Sequence, residues 1–314
     1  MFRRWLSNFL NKNKEKIEII VKILIIVAIV VFVMYIYFSN GNTNISTQSK
    51  TEIYKPQETI TSGSTISEEK YQEDSNLVDI FIGYCNEKKV EDAYNLLTED
   101  CKNNLYPTVE DFKLKYCDRY FAEKKEYSLQ SWSTKGEYDV YQIRIINNMM
   151  ATGKYDDEGA YQDYITIASD GDNKKINING FIYTKEINKN TNTNELKIDV
   201  KKVDVYMDYE EYTLEVTNNT ENIIMLDSMR SPASTLGLEL EDGNIRSVNT
   251  NSISFIELML NPGETRSITI QFVKKYTTSV NSMDIVFSNV VKNYNEFTKN
   301  RETYNDFIEV KVEV

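Results

Sequence analysis

The chain contains no histidine. That removes the usual general base near neutral pH, the commonest metal ligand, and every Ser-His or Cys-His catalytic pair. Cysteine occurs only three times, at Cys85, Cys101 and Cys117. An odd number cannot form an all-paired disulfide framework. The spacing also lacks the C-x₂₋₄-C pairs of structural zinc sites. Proline and glycine are scarce, with 4 and 11 residues, which excludes collagen-like and proline-rich architectures. No metal, cofactor or catalytic constellation emerges, so the chain reads as a non-enzyme with no cofactor.

Charge is unevenly placed. The net charge is −12, yet residues 1–22 carry Arg3, Arg4, Lys12, Lys14, Lys16 and Lys22 against Glu15 and Glu18. The remainder is therefore strongly acidic. Acidic surfaces repel phosphate-rich polymers, so nucleic acid is excluded as the expected partner.

The segment 19–38 is apolar apart from Lys22, which can snorkel, and reads IIVKILIIVAIVVFVMYIYF. About 20 helical residues span a hydrocarbon core of about 30 Å. Tyr35, Tyr37 and Phe38 suit an interfacial aromatic belt, and Trp5 could lie near the other interface. A basic flank on the N-terminal side places residues 1–18 in the cytoplasm and the C-terminal part outside. A cleaved signal peptide is the competing reading. No small-x-small site follows the run, which favours an uncleaved single-pass anchor.

Residues 39–74 are polar and aperiodic, and read as a flexible stalk. Within it, Ser67-Glu-Glu-Lys70 matches the S-x-x-K pattern of serine enzymes, but no K-T-G accompanies it.

A first soluble domain is expected over 75–187. Leu77, Ile80, Phe81, Tyr84 and Cys85 form one helical stripe. Val90, Ala93, Tyr94, Leu97 and Cys101 form a second. Val109, Phe112, Tyr116 and Tyr120 form a third, with Thr108 as N-cap. Each predicted helix carries one cysteine on or beside its stripe, which reads as three reduced core thiols, with one intramolecular disulfide, or an intermolecular or redox role, as the alternatives. Strands are expected over Tyr127–Trp132, Tyr138–Asn147, Ala160–Ser169 and Lys174–Tyr183, with a hairpin turn at Asp170–Asn173. Helices followed by antiparallel strands give an α+β domain.

The run EDAYNLLTEDCKNNLYPTVEDFKLKY and the closing INGFIY resemble the nuclear-transport-factor-like superfamily, whose cystatin-like roll is a cone of three helices and a curved antiparallel sheet. The resemblance implies a fold used by isomerases, dehydratases and envelope assembly proteins. Its enzymes usually place His or Asp inside the cone. Here it points to Tyr141, Tyr161, Asp163 and Tyr164 as cone-facing candidates.

Residues 188–195 (NKNTNTNE) read as a polar break between domains. Over 196–314, short period-two runs alternate with turns, notably Asn218–Asn222, Glu241–Asn244 and Asn261-Pro-Gly-Glu264. Such spacing predicts an all-β sandwich. YEEYTLEVTNNTENIIML and LNPGETRSITIQFV resemble extracytoplasmic immunoglobulin-like domains of Gram-positive bacteria. Asn289–Asn305 reads as a long loop, and the acidic groups at 156–158, 170–172 and 239–242 read as solvated turns rather than calcium loops.

The fold class expected is therefore α+β, with an N-terminal transmembrane helix, a cone domain and an immunoglobulin-like sandwich. The expected role is a non-enzymatic scaffold or assembly component in the cell membrane, extracellular beyond its single span, with other envelope proteins as partners. The alternative is a receptor for a small envelope-derived ligand in the cone pocket.

Overall fold

The computed structural model describes residues 66–153, 160–170, 173–228 and 235–314. The tail, the anchor and residues 39–65 of the stalk lie outside them. Among the described residues, no helix is long and apolar enough to cross a membrane. The architecture is mixed α+β, with three antiparallel sheets and few helices.

Helix α1 (Glu68–Asn86) begins inside the segment expected to be stalk. The Ser67 side chain accepts from Lys70 N at 3.3 Å, and Glu68 and Glu69 meet the positive end of the helix dipole. The S-x-x-K match is thus a helix cap. Polar surface residues hid this first turn, because only Asp74, Val78, Phe81, Ile82 and Cys85 of α1 are buried. Ile80, assigned to the apolar stripe, is 48% exposed.

The second stripe divides into α2 (Val90–Asn95) and α3 (Glu99–Leu105). Thr98 causes the break, since its hydroxyl accepts from Cys101 N at 3.0 Å and starts a new helix. Leu97, in the intervening turn, bridges to Ile176. Thr108 caps α4 (Val109–Phe112), accepting from Asp111 N at 3.0 Å. The helix continues through a π-helical turn (Lys113–Cys117) into α5 (Asp118–Tyr120).

Strands β1 (Lys125–Lys135), β2 (Tyr138–Asn147), β3 (Tyr161–Asp170) and β4 (Asn173–Asn177) form the first sheet in that order. A short helix, α6 (Met149–Thr152), follows β2. Strand alternation sends Tyr141, Ile143, Ile145, Ile165 and Ile167 into one core with Phe81, Phe112 and Tyr116 of the helices. Each fully buried side chain of this size contributes roughly 1.5–3 kcal/mol. The opposite face carries Val140, with Trp132, Tyr138 and Tyr164, into the second core.

The expected strand Lys174–Tyr183 is interrupted. Asn179 and Gly180 both have positive φ, 56° and 67°, and break it into β4 and β5 (Phe181–Asn192). β5 leaves the first sheet and pairs along β6 (Leu196–Tyr206). The polar residues 188–195 are therefore the end of β5 and its hairpin turn, not a linker. They are polar because this end of the hairpin is largely exposed.

The second sheet runs β12-β7-β6-β5, with β7 Tyr209–Asn218 and β12 Thr265–Val273. The third runs β10-β9-β13-β8-β11, and β14 pairs with β13. Its strands are β8 (Ile224–Met225), β9 (Leu236–Leu240), β10 (Ile245–Ser247), β11 (Met259–Leu260), β13 (Ser282–Val291) and β14 (Phe307–Glu313). Leu214, Ile270 and Phe272 of one sheet share an apolar layer with Leu238, Phe287 and Val312 of the other. Gly263 (φ 69°) closes the Asn261–Glu264 turn where a type II turn requires it. The expected loop Asn289–Asn305 contains helix α7 (Tyr294–Lys299), capped by Asn293. Its Phe297 and Tyr304 are buried with Met225 and Val291 in a small satellite core, and these widely spaced aromatics gave no period to read.

Candidate functional site

The four residues singled out on the first sheet do not converge. Tyr161 and Asp163 share the helix-facing side, where the Tyr161 hydroxyl reaches Asp163 Oδ2 at 2.9 Å and Asn179 Oδ1 at 3.0 Å. Asn179 N donates to Asp163 Oδ2 at 2.9 Å, and its side chain donates to the Tyr106 hydroxyl. Burial pushes the Asp163 carboxyl up to about 6, against the donated hydrogen bonds, which pull it down. Tyr120 stacks on the Tyr161 ring with centroids 4.0 Å apart.

Tyr141 lies elsewhere on that face and donates to the buried carboxylate of Asp74 at 2.6 Å. Lys174 Nζ completes that group, 2.7 Å from Asp74 Oδ1. Tyr164 points to the opposite side, edge-on to Trp132 at 5.5 Å. The helix-facing side carries core side chains and these hydrogen-bonded groups.

All three cysteines are free and buried. The Cys85 and Cys117 thiols share a hydrogen bond. Burial pushes Cys85 well up, whereas that hydrogen bond pulls Cys117 down. Burial pushes Cys101 up to about 12. Among the described residues, no group of Cys, Asp and Glu is arranged to hold a metal ion. Glu239 pairs with Lys311 at 2.7 Å, and Asp242 accepts from Asn244 N at 3.0 Å within its turn.

A half-open cleft of about 150 Å³ lies where the β1–β2 hairpin meets the second sheet. Its floor is an ion pair. Lys274 Nζ lies 2.6 Å from Glu210 Oε1, with side chains only 10% and 11% exposed. The Tyr212 hydroxyl and Ser282 Oγ donate to Glu210 Oε2 at 2.7 and 2.8 Å. Tyr183 and Tyr276 form aromatic walls with ring centroids 6.4 Å apart, and Lys135 Nζ lies 5.5 Å from the Tyr276 centroid. Sequence reading missed this site, although a signal exists. Glu210 is in phase with the buried Tyr212, Leu214 and Val216, and Lys274 is in phase with Phe272 and Ile270. A charge on the core phase of a strand demands a buried partner.

A third feature is an exposed apolar turn. Phe255 and Ile256 are 41% and 72% exposed. The turn is locked from below, since Ser254 N and Oγ both donate to Glu257 Oε2 at 2.7 Å, and Arg266 Nη1 donates to Ile256 O at 2.6 Å. The Phe255 ring lies 6.1 Å from that of Tyr294 on α7.

No family model and no curated protein matches the chain. Among solved structures, a conserved hypothetical protein from Bacillus anthracis, known at 2.2 Å, is similar at 17% identity. The match covers 32% of this chain and 90% of that one, with a TM-score of 0.24. A likeness at that score bears on neither fold nor function.

Proposed function

We propose that the chain is a single-pass membrane protein, cytoplasmic at its N-terminus, whose extracellular part acts non-enzymatically through protein contacts. It presents a cone-like module of the nuclear-transport-factor type and an immunoglobulin-like sandwich, as a scaffold or assembly component of the cell envelope. Its partners are other envelope proteins held in the same membrane, where tethering raises effective concentration.

The observation that supports this reading is the Phe255–Ile256 turn. Two large apolar side chains stand in solvent on a turn fixed by Glu257 and Arg266, so they cannot fold back to hide. Rigid exposed aromatic and aliphatic groups are the usual anchors of protein interfaces. The test is purification of the full-length protein from detergent-solubilised membranes, with wild type compared with Phe255→Ser/Ile256→Ser. Loss of co-purifying membrane proteins at unchanged melting temperature supports the reading. An unchanged set of co-purifying proteins overturns it.

A further inference from the structure

We propose that the cleft above the Glu210–Lys274 pair binds a small ring-bearing organic carboxylate. The proposal stands on the lysines that line this cleft, above all Lys274, and does not rest on the scaffold reading. An ammonium has three donors. Glu210 is the one acceptor within reach of Lys274 Nζ among the described residues, while Glu210 itself accepts from Lys274, Tyr212 and Ser282. Both carboxylate oxygens are thus engaged, whereas the ammonium gives the protein one of its three donors. Lys274 is nine-tenths buried and lines the cleft, so its remaining donors have only the cleft in which to find acceptors.

The surroundings specify the class of acceptor. Lys135 and Lys185 also line the cleft, so three ammonium groups face one acidic side chain. This local excess of positive charge lies within a chain of net charge −12. A concave cationic site focuses potential and draws anions. The body of the ligand is set by the walls. Tyr183 and Tyr276 offer ring surfaces, and Val203 and Val205 offer an apolar patch. Cavities of about 150 Å³ accept a benzene-sized ring. A carboxylate over Lys274 with a six-membered ring against the tyrosine and valine walls meets both demands.

The test is isothermal titration of the full-length protein in detergent micelles. The probes are glucuronate and benzoate, with glucose and benzyl alcohol as neutral counterparts. The expected result is saturable binding of at least one acid, with a Kd of about 1 mM or tighter and at least about tenfold weaker binding of its neutral counterpart. The acid that binds tells whether the ring is a sugar or a hydrocarbon. Lys274→Met should abolish binding. Because that change strands a buried carboxylate, Lys135→Ala/Lys185→Ala provides a second variant, both lysines being exposed. It should keep the wild-type melting temperature and weaken binding several-fold. Equal binding of acid and neutral probe, no saturable binding of either acid, or wild-type affinity in Lys135→Ala/Lys185→Ala would each overturn the proposal.

Discussion

The Tyr141 hydroxyl donates to Asp74 Oδ2 at 2.6 Å with both residues wholly buried, joining the first half of helix α1 to the centre of the first sheet. Asp74 is otherwise held by Lys174, so a buried charge fixes this helix where apolar packing holds its later turns. Tyr141→Phe removes one hydrogen bond to a charged acceptor and should cost about 1.5–3 kcal/mol. Lys174→Met leaves the carboxylate without its counter-charge and should cost more, about 3–5 kcal/mol. Urea unfolding of the two variants checks the order.

Asp163 makes stability depend on pH. Its folded pKa, about 6, lies above that of an unfolded aspartate, so the folded chain holds the proton more tightly. The ionised form therefore destabilises the fold at neutral pH, and protonation relieves this as pH falls through 6 towards the unfolded value. Asp163→Asn keeps an acceptor for Tyr161 and Asn179 without the charge. Lowering the pH from 7 to 5 should favour wild type over this variant by on the order of 1 kcal/mol, after allowing for partial exposure. Melting curves of both proteins at the two pH values measure the difference.

The hairpin joining β5 to β6 predicts how the chain can be divided. A fragment of residues 196–314 would lack β5 and expose the edge of β6, along with Val203 and Val205. It should aggregate or show no cooperative melting, whereas residues 66–314 should unfold in one transition. Circular dichroism melts of the two fragments test this.

Cys101 is fully buried, and burial pushes its thiol up to about 12. It should resist maleimide at pH 7.5 in the native protein and react once the chain unfolds in urea. Cys101→Ala should cost roughly 1–3 kcal/mol as a small core truncation. Mass spectrometry of the labelled protein, with and without urea, reads the protection directly.

The sequence by itself determined the elements that rest on local chemistry. Apolar stripes marked the helices, and Tyr138–Asn147 was legible as a strand to its ends. Thr108 announced a cap, and Pro262-Gly263 announced a turn, because caps and turns are satisfied within a few residues. The phase of Glu210 with Tyr212, and of Lys274 with Phe272, is also present in the sequence, although it went unread.

Only the tertiary structure decided what those charges meet. Register sets Phe272 opposite Glu210, and this brings Lys274, just past the end of β12, over the carboxylate from far along the chain. The same holds for Asp74, which looked like stalk until Tyr141 and Lys174 enclosed it. Residues 188–195 read as a polar break because of their side chains, but the backbone of 189–192 pairs with β6 and the rest makes the hairpin turn. Side-chain polarity reports exposure, whereas strand partners are chosen through backbone hydrogen bonds common to every residue type, which composition does not encode.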